Sequence, residues 1–582
     1  MNLLVSKLNP PLPSLRSWLR RVSQRLDLCP ESPKGQDSGK DCCSSANRGA
    51  LHRWKALIFL NAIYAIAGIA WIVLIPYNNA PDENTHFHYS VEFIMQHHRL
   101  PVWGVDDLEQ FRHAISSYNQ MPALNYVISA AAGAFGHKIF GLEAYLGARL
   151  ASLGWGLIFL NFLFLAVREL SGNKKNALII TAAFSLIPQV FFTFCYVNAD
   201  AHSLALSAIL GFALARLLHK HSALDIIFAG AAMGLLFSAK YNYFIYFPFL
   251  AVFLGLAVLH EKISRKTAIK FIIASALLSL LISGFWFIRN WFVYGNPMPL
   301  LLSEDFFRGI SLVREAQPLN RGLSVASLTW LVQNGFIATA FNSFFAVFGY
   351  MNVGFHREVY IILGFIIPLL AALFIIGLAA TKDRPAIIAL GWLLLFIVTI
   401  MAMHVWTCLT FAFQPQGRYQ FAMLLPIALY AGWAVTRHAS LKKYVVLFLI
   451  VMVSLFIGAN LLIARTYGPP VQFAVYCSGP EQSFCPLKGS PPEAKRTVKN
   501  FYATENISLD SGSVALRVGL PEGFLGRYRD FQVAFETEDG VKTNDWALLP
   551  PEQLSDVTFD KKLNAFETCG PAPCFVLARL PP

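Results

Sequence analysis

Apolar runs of about 20 residues recur along most of this 582-residue chain, each long enough to cross the hydrocarbon of a bilayer as a helix. In lipid every backbone N–H and C=O must find its partner within the segment, so such a chain folds as a set of spanning helices. About eleven spans can be placed, near residues 56–75, 147–167, 177–195, 201–218, 224–237, 243–259, 268–287, 359–380, 386–403, 421–435 and 444–463. Composition agrees: 55% of residues are hydrophobic and 14% are charged, values outside the range of a soluble globular chain.

The formal charge of +13 does not mark a nucleic-acid binder, because Lys and Arg sit in short connections between apolar runs rather than on one soluble face. Residues 1–52, with Arg16, Arg20, Arg21 and Arg25, show no apolar stretch followed by a small-residue cleavage site and read as a cytoplasmic tail. With that tail inside, the basic connections Arg168–Lys175, His219–His221, Lys262–Lys266, Lys382–Arg384 and Arg437–Lys443 all fall on the cytoplasmic side. Residues 76–146 and 289–357 then become outer loops of a transmembrane domain covering 53–463. An odd number of spans leaves residues 464–582 outside, where alternation such as Ser513-Val514-Ala515-Leu516-Arg517-Val518 predicts a small β-rich periplasmic domain. The predicted fold class is thus an all-α polytopic membrane protein carrying that domain. Cys477, Cys485, Cys569 and Cys574 lie in the oxidising compartment, with 477/485 and 569/574 as the expected pairs, whereas Cys195 and Cys408 read as packing residues.

The outward connections also hold the unusual polar motifs. Two adjacent carboxylates follow the first span in Pro81-Asp82-Glu83-Asn84-Thr85-His86. Charge at a membrane boundary is expensive unless it is solvated, paired or functional, and a carboxylate there is suited to take a proton from a hydroxyl. The alternative role for Asp82 and Glu83 is to cap the helix containing Phe87, Tyr89 and Phe93. Further on stand Tyr118-Asn119-Gln120-Met121-Pro122, then Asn198-Ala199-Asp200, Lys240-Tyr241-Asn242, Arg289-Asn290-Trp291 and Gln416-Gly417-Arg418-Tyr419. Residues 120–140 are apolar but poorly placed for a crossing, and read as a re-entrant or surface-lying helix.

Five of these features, in this order, resemble the GT-C superfamily of integral membrane glycosyltransferases, and most of all its bacterial branch with an early Pro-Asp-Glu-x-x-His motif. They are Pro81-Asp82-Glu83 with His86, Asn119-Gln120-x-Pro122-x-Leu124-x-Tyr126, Val197-Asn198-x-Asp200, Arg289-Asn290-Trp291 leading into Tyr294-Gly295-Asn296-Pro297, and Gln416-Gly417-Arg418-Tyr419. Met121 departs from the pattern, standing where relatives often carry a Pro-Pro pair. The resemblance covers residues 56–463. It implies a GT-C fold, a catalytic aspartate in the first outer loop, a second acidic residue at the next outward turn, and a polyprenyl phosphate as the sugar carrier.

On that basis Asp82, Glu83 and Asp200 are the catalytic candidates, with Asp82 against Glu83 left open. Asp200 has an alternative role as N-cap of the helix starting at Ala201. Arg418, Arg289 and Lys240 are the candidate ligands of the donor phosphate, since a guanidinium fork matches phosphate oxygens. His86, Gln120, Asn198, Tyr241, Asn290 and Tyr419 are candidate substrate-binding residues. His86, His88, His97 and His98 suggest a metal site, but His86 and His88 do not share a helical face and no Asp-x-Asp pair lies near the four. No cofactor is therefore assigned, and a divalent cation is left open. The expected partners are a polyprenyl-phosphate-linked sugar, a glycan, lipid or protein acceptor, and membrane lipid. A lipid-linked glycan transporter or flippase is the rival reading and would require charges deep within spans and internal repeats, neither of which the sequence displays. A glycan ligase or polymerase is the other, separated only by donor size.

Overall fold

The computed structural model describes residues 42–107, 118–299 and 321–467, with side chains from Trp54 onward, and beyond them the backbone of strands between Val471 and Arg579. The chain divides into two compact units, residues 1–66 and 67–582. The first contributes the amino-terminal part of helix α1 (Cys42–Leu74); the contacts described below lie within the second. Residues 1–41 of the expected tail fall outside the described residues.

Among the described residues eight helices are long and apolar enough to cross a membrane, or nine if the bent pair Arg265–Ile282 and Gly284–Tyr294 is one span. Three of the eleven predicted crossings take another form. Residues 177–195 are not one helix but two, α4 (Lys174–Ser185) and α5 (Pro188–Thr193). Pro188 lacks the N–H that would continue α4 and holds Ile187 in a non-helical conformation, φ −59° and ψ 117°. Helix α7 (Ala223–Leu236) has 14 residues, about 21 Å of rise against a hydrocarbon core of about 30 Å. The predicted span 268–287 is bent by 56° at Ser283, whose hydroxyl donates to the Gly234 carbonyl at 2.7 Å.

Helix α2 (Leu124–Phe140) turns through Gly141 in the left-handed conformation and packs back on α3 (Ala144–Ser171). The two backbones approach so closely that a Cβ on Gly147 would lie 2.9 Å from the Gly133 Cα, which is how small residues let apolar helices meet. Helix α3 in turn lies along α6 (Ala199–Leu217). Within its apolar window α6 is 89% buried, while Arg357–Ala380 and Arg384–Thr410 are 11% and 17% buried. A helix apolar on every face and exposed to this degree is built to face lipid. The enclosed α6 instead carries Asp200, His202, Ser203 and Ser207, all buried.

Between the helices Phe336–Phe345 and Arg357–Ala380 a two-stranded hairpin pairs Val347–Phe348 with Val353–Gly354. Past Tyr467 an antiparallel sheet runs in the order Trp546–Leu548, Cys574–Arg579, Ala515–Gly519, Ala474–Ser478, Phe484–Pro486. Its register sets Cys477 opposite Cys485, as the first expected pair requires of the backbone; Cys569, and with it the second pair, lies outside the described residues. Cys195 and Cys408 are free and buried.

Candidate functional site

The connection after α1 leaves the helix at Pro76 and re-enters helical structure at Glu83. Asp82 holds a left-handed backbone, φ 61° and ψ 10°, and makes no side-chain cap hydrogen bond, so it does not cap this helix. An L-residue in that conformation carries backbone strain, and here its carboxylate turns elsewhere. Oδ2 of Asp82 accepts from the Tyr118 hydroxyl at 2.9 Å and from Nη2 of Arg418 at 2.6 Å. The Asp82 side chain keeps 37% of its exposure while that of Arg418 keeps 4%. Burial pushes the Asp82 carboxyl up, but the Arg418 charge, with hydrogen bonds from Arg418 and Tyr118, outweighs it and holds the group below its ordinary value.

Glu83, one residue on, has an opposite environment. Both its oxygens take 2.6 Å hydrogen bonds from Nε and Nη2 of Arg149, and both side chains are 0% exposed. Arg149 spends its other donors on the carbonyls of Ile72, Ile75 and Pro76, at and just past the end of α1, where carbonyls lack intrahelical partners. Glu83 also accepts from the backbone N–H groups of Asn78 and Val197. The result is a closed clamp joining the end of α1, the acidic loop, α3 and the turn before α6. Sequence reasoning passed over Arg149, although an arginine in the first turns of the apolar helix Ala144–Ser171, far from the basic connection at Arg168, is the kind of charge that demands a partner.

The second carboxylate, Asp200, is not the N-cap of α6: Asn198 is, its side chain accepting from the Ala201 N–H. Asp200 pairs with Nζ of Lys240 at 3.1 Å and 3.2 Å. Lys240 lies in the turn after the short helix α7, its own N–H donating to Ser203 of α6, and its ammonium stands 4.9 Å from the ring centre of Tyr419. Arg418 flanks the same ring at 5.6 Å and donates through Nη1 to the Tyr196 hydroxyl at 3.1 Å. Asp82, Arg418, Tyr419, Lys240 and Asp200 therefore form one contiguous charged cluster drawn from four distant stretches of chain.

Arg418 and Tyr419 reach it on a 3₁₀ turn, Gly417–Met423. Gly417 is required there, because a Cβ would overlap the backbone of Phe344, and its N–H is held by the Ser343 hydroxyl at 2.8 Å. Tyr118 is set by the next residue: Asn119 accepts from Ser90 at 2.7 Å and donates to Asp107 at 2.8 Å. His86 stacks on Tyr118 with ring centres 3.9 Å apart and contacts the Tyr126 hydroxyl through Nδ1 at 2.8 Å. Burial pushes the imidazole down to about 3, so it is neutral at ordinary pH.

The remaining candidates are placed more loosely. The Tyr241 hydroxyl donates to the Gln120 carbonyl at 3.0 Å, joining those two to each other. Arg289 donates to the Pro101 carbonyl at 2.7 Å and to Asn290, and no described hydrogen bond or ion pair links it to the cluster. Asn290 donates to the Pro297 carbonyl. Beside the 3₁₀ turn opens an apolar cavity of about 510 Å³, lined by Phe344, Ala371, Phe374, Met423, Leu424 and Phe448 among others. Among the described residues no group of three or more His, Cys, Asp or Glu side chains gathers as a metal site would.

Apolar helices exposed to lipid around one enclosed, charge-bearing core define a multi-pass membrane protein. Residues 108–431 match the family described as predicted membrane protein DUF2142, and the chain belongs to that family. No curated protein matches it in sequence. In structure it is similar to ArnT from Cupriavidus metallidurans bound to undecaprenyl phosphate, at 14% identity and a TM-score of 0.41, over 71% of this chain and 78% of that one. It is similar also to the oligosaccharyltransferase AglB from Archaeoglobus fulgidus in complex with an inhibitory peptide and a dolichol-phosphate, at 15% identity and a TM-score of 0.40. That likeness covers 72% of this chain and 56% of the archaeal one. Likenesses of this strength carry no correspondence between residues.

Proposed function

We propose that this protein is a GT-C-type glycosyltransferase of the bacterial inner membrane, moving a sugar from a polyprenyl-phosphate donor to an acceptor on the outer face. The observation that carries the reading is the meeting of Asp82, a carboxylate still open to a ligand, with Arg418, a buried guanidinium on the turn whose Gln420 and Met423 line an apolar cavity, from positions 336 residues apart. Asp82 takes the proton of an acceptor hydroxyl, the acceptor oxygen bonds to the anomeric carbon, and the bond from that carbon to the phosphate oxygen breaks with its electrons going to the phosphate. Arg418 and Lys240 balance the charge that gathers there. Glu83 is clamped by Arg149 and serves the loop, not the chemistry; Asp200 holds Lys240. The cavity takes the first part of the polyprenyl chain.

The outward orientation is supported by α6 and by Gly417–Arg437. Each starts at a cluster residue, Asp200 or Arg418, and ends at a basic connection, near Arg216 or Arg437, the arrangement expected when basic ends are cytoplasmic. The broken and short helices bring the crossings to about eleven, and residues 464–582, placed outside, form a β-rich domain for acceptor recognition.

A second reading, a transporter of lipid-linked glycans, draws on one observation: Arg149 and Asp200 are buried charges within candidate spans, and Arg149 is one that the sequence reading passed over. Surface-glycan mass profiles of cells carrying wild type, Asp82→Asn or Arg418→Gln separate the two, with membrane levels of the protein checked. Asparagine is chosen because it tolerates the left-handed backbone. Loss of one sugar mass in both variants, with the protein retained, is the expected result; an unchanged profile removes the base assignment and leaves the transporter.

A further inference from the structure

The two arginine–carboxylate pairs of this loop use the same edge of the guanidinium in different ways. Arg149 gives Nε and Nη2 together to Glu83, a fork with both prongs engaged and both partners sealed from solvent. Arg418 gives Asp82 only Nη2, at 2.6 Å; its Nε, buried with the rest of the side chain, meets no acceptor among the described residues. A buried donor left without an acceptor costs about 1–3 kcal/mol, and an Nε–Nη edge matches two oxygens of a phosphate as well as it matches a carboxylate. Asp82 is the more exposed partner of the pair, while Arg418 is buried and also tied to Tyr196.

We propose that Arg418 is a latch on Asp82 that the donor releases: the donor's phosphate takes both Nε and Nη2, displaces the carboxylate, and only then leaves Asp82 free to accept the acceptor's proton. The inference rests on the glycosyltransferase reading and adds an order to it, donor before acceptor. Before donor binds, Arg418 and Lys240 are matched by Asp82 and Asp200. Once the phosphate occupies the Arg418 edge, Asp82 has lost its cation and stands beside an anion, both of which favour taking up a proton. During transfer that proton comes from the acceptor hydroxyl, and the electron pair of the broken bond stays on the phosphate that Arg418 now holds.

The latch makes Asp82 an internal competitor of the phosphate, which gives an unusual expectation: removing its charge tightens binding. The test is the affinity of the purified full chain for a fifteen-carbon prenyl monophosphate, with the prenyl alcohol of the same length as control. Asp82→Asn should bind the phosphate about tenfold tighter than wild type and Arg418→Gln about tenfold weaker, with the alcohol unaffected in both. Asp82→Gly, which fits the same left-handed backbone, repeats the measurement if the asparagine variant does not fold. If Arg418→Gln loses affinity while both Asp82 variants bind no tighter than wild type, the latch is overturned and the transferase reading stands. If Arg418→Gln binds the phosphate as wild type does, the phosphate assignment fails and the latch with it.

Discussion

Asp82 and Glu83 follow one proline and are equally acidic as free side chains, and the backbone separates them. The left-handed turn at Asp82 directs its carboxylate toward Tyr118 and Arg418, while Glu83, starting the helix, points into the Arg149 clamp. That the loop is acidic, follows the first span and matters to the protein is visible in the sequence. Which carboxylate remains open is not, because it depends on partners 66 and 336 residues away. Breaking a buried ion pair leaves a charge with no solvent and no partner, at a cost of about 3–5 kcal/mol. Glu83→Gln and Arg149→Met should therefore each lower the apparent melting temperature and the yield of folded protein sharply. Asp82→Asn, at a pair open on the carboxylate side, where asparagine keeps an acceptor oxygen and Arg418 keeps Tyr196, should lower melting less than either. A fluorescence-detected thermal unfolding series in detergent checks this, and equal losses at Asp82 and Glu83 would contradict the division of roles.

At the scale of elements, apolar run length predicted where helices lie well and how they break poorly. A run crossing Pro188 looks continuous to a hydropathy count, and a bend at Ser283 depends on a hydroxyl contact with Gly234 that no local pattern encodes. The 3₁₀ turn at Gly417–Met423 runs across the expected start of the span at 421, and its tight geometry is what presents Arg418 and Tyr419 to the cluster. Gly417 sits against the backbone of Phe344, where a methyl group has no side chain to push aside. Gly417→Ala should cost about 1–3 kcal/mol by overpacking and weaken prenyl-phosphate binding by displacing Arg418. Gly154→Ala is the control, since a Cβ there meets nothing within 4 Å. If both substitutions leave binding unchanged, the turn is not what sets the guanidinium.

Across the whole molecule, the charged cluster and the apolar cavity meet at the same 3₁₀ turn, a junction assembled from helices dispersed over more than half the chain. Sequence patterning cannot distinguish the cavity's walls, because Leu, Ile and Phe that line a cleft look the same as those that face lipid. On the proposed function, the junction would give the two ends of a polyprenyl phosphate separate sites, and they can be tested separately. Ala371 lines the cavity from the helix Arg357–Ala380 and is not among the cluster residues. A tryptophan at 371 fills space a long chain would use and leaves the phosphate contacts in place. Ala371→Trp should raise KM about tenfold, or 1.4 kcal/mol, for a donor with a long polyprenyl chain, while a donor on a short prenyl phosphate keeps its wild-type KM and both keep kcat. Equal penalties for long and short donors would mean that the substitution disturbs the cluster itself. No penalty for either would place the chain in the surrounding lipid, leaving the Arg418 edge to supply the specific part of donor recognition.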